Sequence, residues 1–195
     1  MKILITGASG LVGGCLLREL ACISEVVGTF DTRLTPGLQP LDITDRKGVQ
    51  QLIAGGGFTH VVHAAAIRSP DVCLQDPEKA YRVNALAVEY VTEAAREAGA
   101  RLCQISTDYV FPGTHPPYRE ADLPAPVNLY GRTKLAGEHA ARRAPEALIV
   151  RITAQWSLHL AEPRNFASQL AGRLREGQRV TLDDEIVRYY TLSED

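Results

Sequence analysis

Apolar, β-branched runs of strand length alternate along this chain with longer segments of helical pattern. The runs are "KILIT", "EVVGTF", "THVVHAAA", "RLCQIST", "ALIVRIT" and "RVTL". Between them lie "LVGGCLLRELA", "DRKGVQQLIAGG", "DPEKAYRVNALAVEYVTEAAREAGA", "NLYGRTKLAGEHAARRA" and "NFASQLAGRLREG". Strands apolar on both faces and separated by helices form a parallel sheet, because right-handed crossovers lay helices on each side. The expected fold is therefore doubly wound α/β, a Rossmann arrangement, with ligands beyond the carboxyl ends of the strands. At 195 residues the chain has the size of one domain. Asp76 before Pro77 reads as the start of the long helix, and Gly99 as its end. Residues 111–127 hold five prolines without apolar periodicity and read as a loop.

Composition removes several function classes. With 45% apolar residues, 23% charged residues and a net charge of -2, this is neither a polycation nor a disordered tail. No nucleic-acid partner is expected: Tyr81, Tyr90 and Tyr109 are not interleaved with basic clusters, and Arg142-Arg143 is a short pair on a helix. No apolar run approaches the ~20 residues of a membrane span. The N-terminal segment is broken by glycines and has no cleavage signal, so a cytoplasmic protein is expected. Cys15, Cys22, Cys73 and Cys103 show no C-x-x-C spacing and are expected to be buried thiols, Cys15 and Cys22 on one helical face. The histidines are scattered, and no metal site is expected.

"ITGASGLVG" follows the first strand and opens the first helix, with glycines at 7, 10 and 13. Gly7 permits a tight turn, Gly10 lets backbone approach a pyrophosphate, and Gly13 lets helix and strand pack closely. A helix N-terminus then offers free N–H groups to phosphates. The spacing is G-x-x-G-x-x-G, and the expected cofactor is NAD or NADP. Asp31, at the end of the second strand, suits the ribose hydroxyls of NAD, whereas Arg33 suits a 2'-phosphate. Asp42 and Ile43 after the third strand, and the small residues Ala64, Ala65 and Ala66 after the fourth, are further candidate contacts.

The fifth strand ends "QISTDYVF", at the same sheet edge as the glycine turn, and the next helix begins "NLYGRTKLAGE". Tyr130 and Lys134 are four apart and share a helix face. A cation beside a phenol stabilises phenolate, so Lys134 is expected to lower the pKa of Tyr130 below the usual ~10. Tyr130 would then exchange a proton with a carbonyl group as hydride arrives from a nicotinamide, and Thr107 would hold and polarise the carbonyl oxygen.

Taken together, "ISTDYVFPG", "PYREADLPAP" and "NLYGRTKLAGE" resemble the extended short-chain dehydrogenases/reductases, and within them the dTDP-4-dehydrorhamnose reductase family. The resemblance runs from Met1 to the last residues. It implies Thr107, Tyr130 and Lys134 as catalytic residues. It also implies Gly7, Ser9, Gly10, Leu11, Val12, Asp31, Asp42, Ile43 and Ala64 to Ala66, together with Tyr130 and Lys134, as cofactor contacts. The implied reaction reduces the 4-keto group of a nucleotide-linked deoxysugar, on the route to dTDP-L-rhamnose. The regulatory β subunits of methionine adenosyltransferase, in the same family, are similar through "RSPDVCLQDPEKAYRVNA" and "GTHPPYREADLPAPVNLYGRTKLAGE". That likeness implies a dinucleotide-binding regulatory subunit with methionine adenosyltransferase as partner. A homodimer is a further alternative.

A related epimerase would use the same Tyr-Lys chemistry. A 4,6-dehydratase is disfavoured because Thr107-Asp108-Tyr109 lacks a glutamate. The family's tryptophan followed by Tyr-Gly after "VRIT" is replaced here by Ala154, Gln155, Trp156 and Ser157, and Tyr190 stands where a proline is usual. Family members continue further, as a smaller lobe over the sugar nucleotide. Residues 1–195 are thus expected to be the dinucleotide-binding domain with the C-terminal substrate lobe largely absent. Arg68, Asp71 and Asn165 are candidates for the open side of the cleft, with a surface salt bridge the favoured alternative for Arg68.

Overall fold

Six parallel strands make the central sheet: β1 (Lys2–Thr6), β2 (Glu25–Phe30), β3 (Gln39–Pro40), β4 (His60–His63), β5 (Arg101–Thr107) and β6 (Leu148–Ile152), in the order β3-β2-β1-β4-β5-β6. The structure is a computed structural model and describes residues 1–156, 166–182 and 190–192. Winding outward from β1 in both directions is the doubly wound arrangement expected from the strand-helix alternation. The helices are α1 (Leu11–Ala21), α2 (Arg46–Gly56), α3 (Pro70–Gln75), α4 (Pro77–Tyr81), α5 (Ala87–Glu97), α6 (Leu129–Ala141) and α7 (Phe166–Arg175). A further pair, β7 (Ala154–Trp156) with β8 (Tyr190–Leu192), lies outside the main sheet.

Alternate side chains of each strand feed two cores, which is why the strands read as continuously apolar. Leu4, Val61 and Leu102 pack with Val49 and Ile53 of α2, with Val88 and Val91 of α5, and with Ala140 and Ala141 of α6. Ile3, Ile5 and Val62 pack on the other face against Leu16, Leu17 and Leu20 of α1. A third cluster of Cys73, Ala80 and Tyr130, with Ile67, Tyr109 and Leu129 against it, sits beside the strand ends.

Two expectations about elements need correction. The segment read as one long helix does start with Asp76, whose carboxylate accepts from the backbone N–H of Lys79, and it closes at Gly99 with φ +68°. It is interrupted, however, by a π-helical turn at Arg82–Leu86. The buried Asn84 in that turn bonds both backbone groups of Ile67 at 2.9 Å and the Thr133 hydroxyl at 3.0 Å, contacts that a regular helix would not present together. Residues 179–182, expected as a last strand, carry no regular structure; the late strand is β8 instead. Helix α3, absent from the sequence reading, starts with a Ser69 cap and Pro70 at its first position, a signal available in "RSPDV". Cys15 and Cys73 are buried as expected, but Cys22 is exposed because α1 ends one residue earlier.

Helix α6 is far from a surface helix. Tyr130, Gly131, Thr133, Lys134, Gly137, Glu138, Ala140 and Ala141 are all buried. Two glycines let it come this close: a Cβ on Gly131 would lie 2.2 Å from the Tyr109 carbonyl oxygen, and one on Gly137 would lie 2.3 Å from that of Asn84. Replacing Gly131 with Ala forces backbone against backbone and is expected to cost about 1–3 kcal/mol. Gly172→Ala, in α7 with open space around it, should be neutral or stabilising by up to ~1 kcal/mol. Urea unfolding of the two variants checks the contrast.

Candidate active site

The glycine turn is built by contact as much as by conformation. Gly7 has φ +71°, and a Cβ there would lie 2.7 Å from Cα and N of Ala65 in the neighbouring strand-end segment. A Cβ on Gly13 would lie 2.4 Å from the Gly7 carbonyl oxygen, so α1 sits directly on the turn. Gly10 caps α1 with no side chain, leaving the first N–H groups of the helix to the space in front.

That space is a cleft of about 930 Å³ along the carboxyl ends of the strands. Gly7, Ser9, Gly10, Leu11 and Val12 line it at one end, with Asp31, Asp42, Ile43, Ala64, Ala65 and Ala66 beyond, and Thr107, Tyr130 and Lys134 at the other. Arg68 also lines it, whereas Arg33 and Asp71 do not. Arg33 is exposed past the strand end, and Asp71 is exposed in the first turn of α3. Asn165 lies outside the described residues. Asp42 already accepts from the N–H and hydroxyl of Thr44 at 2.8 and 2.7 Å, a closed turn of its own.

Three consecutive residues of β5 reach three residues spaced by one turn on α6. The Ile105 carbonyl accepts from Lys134 Nζ at 2.7 Å. The Ser106 hydroxyl donates to Glu138 Oε1 at 2.6 Å. The Thr107 hydroxyl lies in hydrogen-bonding reach of the Tyr130 phenol. Thr107 also caps a short 3₁₀ turn, accepting from Tyr109 N at 3.2 Å and donating to Asp108 at 3.1 Å.

Glu138 is fully buried and held by Arg151 of β6 through two parallel bonds, Nε to Oε1 at 2.9 Å and Nη2 to Oε2 at 2.8 Å, with Arg142 adding a second cation at 3.2 Å. Burial alone would raise its pKa, but the hydrogen bonds from Arg151 and Ser106 outweigh it and hold the carboxyl below its ordinary value.

The Tyr130–Lys134 pair differs from the expectation in one respect. The phenol is pushed up to about 12, chiefly by burial, with the Thr107 hydrogen bond pulling the other way and Asp108 adding to the rise. The ammonium of Lys134 is brought down to about 8 by burial, against the support of Glu138. Sharing a helix face puts Lys134 near Tyr130, yet its proton goes to the Ile105 carbonyl, so desolvation decides the direction for the phenol. Beneath them His63, fully buried at the end of β4, is bonded to the Thr6 hydroxyl at 2.6 Å. Burial and the nearby Lys134 bring its pKa to about 3.

A family model described as the RmlD substrate binding domain matches residues 1–195. The chain belongs to that family. The methionine adenosyltransferase 2 subunit beta of Xenopus laevis is 41% identical over 150 residues, which are 76% of this chain and 45% of that protein. The dTDP-4-dehydrorhamnose reductase of Salmonella typhimurium is 36% identical over 184 residues, 93% of this chain and 60% of that one. The crystal structure of dTDP-4-dehydrorhamnose reductase from Bacillus anthracis in complex with NADP superposes with a TM-score of 0.79 at 33% identity, covering 91% of this chain and 61% of that one. The chain thus spans about half to three fifths of the length of these relatives. The RmlD family resemblance read from "ISTDYVFPG" and "NLYGRTKLAGE" is borne out.

Among the described residues no helix is long and apolar enough to cross a membrane, and no group of three or more His, Cys, Asp or Glu side chains gathers as metal ligands. Sequence reading passed over Asn84, Glu138, Arg151 and His63. The only prior signal for the buried pair was a glutamate four residues beyond Lys134.

His63 gives a measurable pH dependence. Its folded pKa of about 3 lies below the unfolded 6.5, so between these values the unfolded chain binds more protons and stability falls as pH falls. His63→Asn should lose stability less steeply from pH 6.5 to 3 than the wild type, read from urea midpoints at each pH.

Proposed function

We propose that the chain is an NAD(P)H-dependent reductase of a nucleotide-linked 4-keto-6-deoxysugar, of the dTDP-4-dehydrorhamnose type, with residues 1–195 as its dinucleotide-binding domain. What supports the reading is the convergence of Thr107, Tyr130 and Lys134 on the cleft that opens over the glycine turn. The residues fit a dinucleotide: the bare N-terminus of α1 suits a pyrophosphate, and the glycine cradle has no room for side chains. A bound reduced nicotinamide supplies the hydride.

The chain's own residues handle orientation and the proton. The Thr107 bond to Asp108, at 3.1 Å, is long for a hydroxyl donor and is readily exchanged for a substrate carbonyl oxygen. Tyr130, with its pKa near 12, is fully protonated at neutral pH, while the alkoxide left by hydride addition is a far stronger base than the phenolate, comparable to hydroxide. Proton transfer from Tyr130 to that oxygen runs downhill. The same transfer leaves a buried phenolate at Tyr130, which takes a proton back from solvent before the next turnover. Lys134 places positive charge beside the phenol as it gives up its proton. Asp31 on the cleft wall, with Arg33 outside it, favours NAD over NADP.

A second reading rests on the 41% identity to the methionine adenosyltransferase 2 subunit beta of Xenopus laevis. In it the chain binds a dinucleotide without turnover and associates with methionine adenosyltransferase. Co-purification with that enzyme, and no oxidation of NADH or NADPH by any nucleotide 4-keto sugar, is the outcome that selects it.

Under the reductase reading, Tyr130→Phe lowers turnover by about 10²–10⁴-fold while the dinucleotide dissociation constant stays unchanged. Equal turnover in that variant overturns the proton-donor role. Asp31→Ala should shift relative affinity toward NADP by about tenfold, the equivalent of 1.4 kcal/mol, measured by nucleotide titration.

A further inference from the structure

The contacts between β5 and α6 form a ladder whose last rung has no part in proton or hydride transfer. Positions 130, 134 and 138 lie one turn apart, and they meet Thr107, the Ile105 carbonyl and Ser106. The first two rungs carry the reacting groups. The third is the only one clamped from a second strand, through the two-bond grip of Arg151 on Glu138. Arg151 is itself fixed, with its guanidinium 4.9 Å from the centre of the Phe111 ring.

We propose that Glu138 is a positioning residue: clamped by Arg151, it sets where the Tyr130–Lys134 face of α6 docks along β5 and supplies the counter-charge for the buried Lys134 ammonium. This rests on the reductase reading for its consequence in turnover, but not for its geometry.

Glu138 follows Lys134 by four residues on the same face, and both side chains point at adjacent residues of β5. A slip of α6 along the strand would break both rungs and separate Tyr130 from Thr107. A misplacement of reacting groups by about 1 Å is enough to cost about 10²-fold in rate. The groups around Lys134 are few. His63 faces it from β4, already neutral through its own burial. Tyr130 and Glu138 flank it on α6, while Asp108 after β5 and Cys73 of α3 act on Tyr130. Arg151 and Arg142 act on Glu138. Among the described residues, Glu138 is therefore the anionic group bearing on the ammonium itself.

The chain has four lysines, 2, 47, 79 and 134, of which Lys134 alone is buried, so ¹³Cε-lysine labelling gives it a resolvable NMR titration. Glu138→Gln keeps the shape and removes the charge. The Lys134 midpoint should fall by about one pH unit, and turnover should fall about 10- to 100-fold with the dinucleotide KM little changed. A folded Glu138→Gln protein with an unmoved Lys134 midpoint overturns the proposal, as does unaltered turnover. Should that variant fail to fold, Arg142→Gln at the half-exposed end of α6 tests the same field: with one competing cation gone, the Lys134 midpoint should rise, and no movement overturns the proposal. Absence of turnover in the wild type defeats the reductase reading alone, because the lysine titration is read without substrate.

Discussion

The approach of α6 to the end of β5 is the constraint on which the site depends. Gly131 and Gly137 remove the side chains that would hold the helix away, and the space they release brings the helix backbone against the carbonyls of Tyr109 and Asn84. Everything polar on the inner face of α6 then lies out of water and must find a partner in protein. Lys134 finds a carbonyl, Glu138 an arginine and a serine, Thr133 the carbonyl of Tyr130 and the amide of Asn84. Close packing thus selects the polar network, and the network holds Tyr130 and Lys134 in one place.

Burial also divides the labour within that network. The same desolvation raises Tyr130, lowers Lys134 and lowers His63, in each case favouring the neutral form. Glu138 escapes because two arginines and a serine meet its charge directly. The site therefore contains one firmly charged pair, one phenol that keeps its proton, and one lysine poised near neutrality.

Much of the fold was legible because its signals are local. The apolar strands of the main sheet, the glycines at 7, 10 and 13, the Asp76 cap and the Gly99 stop each act within a few residues of themselves, and these stand where they were expected. Thr107, Tyr130 and Lys134 also line one cleft, since strand ends of a doubly wound sheet share an edge. What stayed hidden depends on distant partners. Helical spacing says that Tyr130 and Lys134 are neighbours, but not that the ammonium prefers the Ile105 carbonyl, 29 residues away. Glu138 looks like a surface glutamate until β6 brings Arg151 to it. Arg33 looked equivalent to Asp31, two residues earlier, but only Asp31 borders the cleft.

The π turn at Arg82–Leu86 sets the phase of the helix that follows it. A π turn accommodates one residue more than a regular helix would, and one residue corresponds to a rotation of about 100° around the axis. The apolar face that α5 offers to α2 and α6 is thus in phase only because the extra residue is present. Deleting one residue from the turn would rotate Val88 and Val91 out of the core they share with α2 and α6, so α5 could not keep its packing without it.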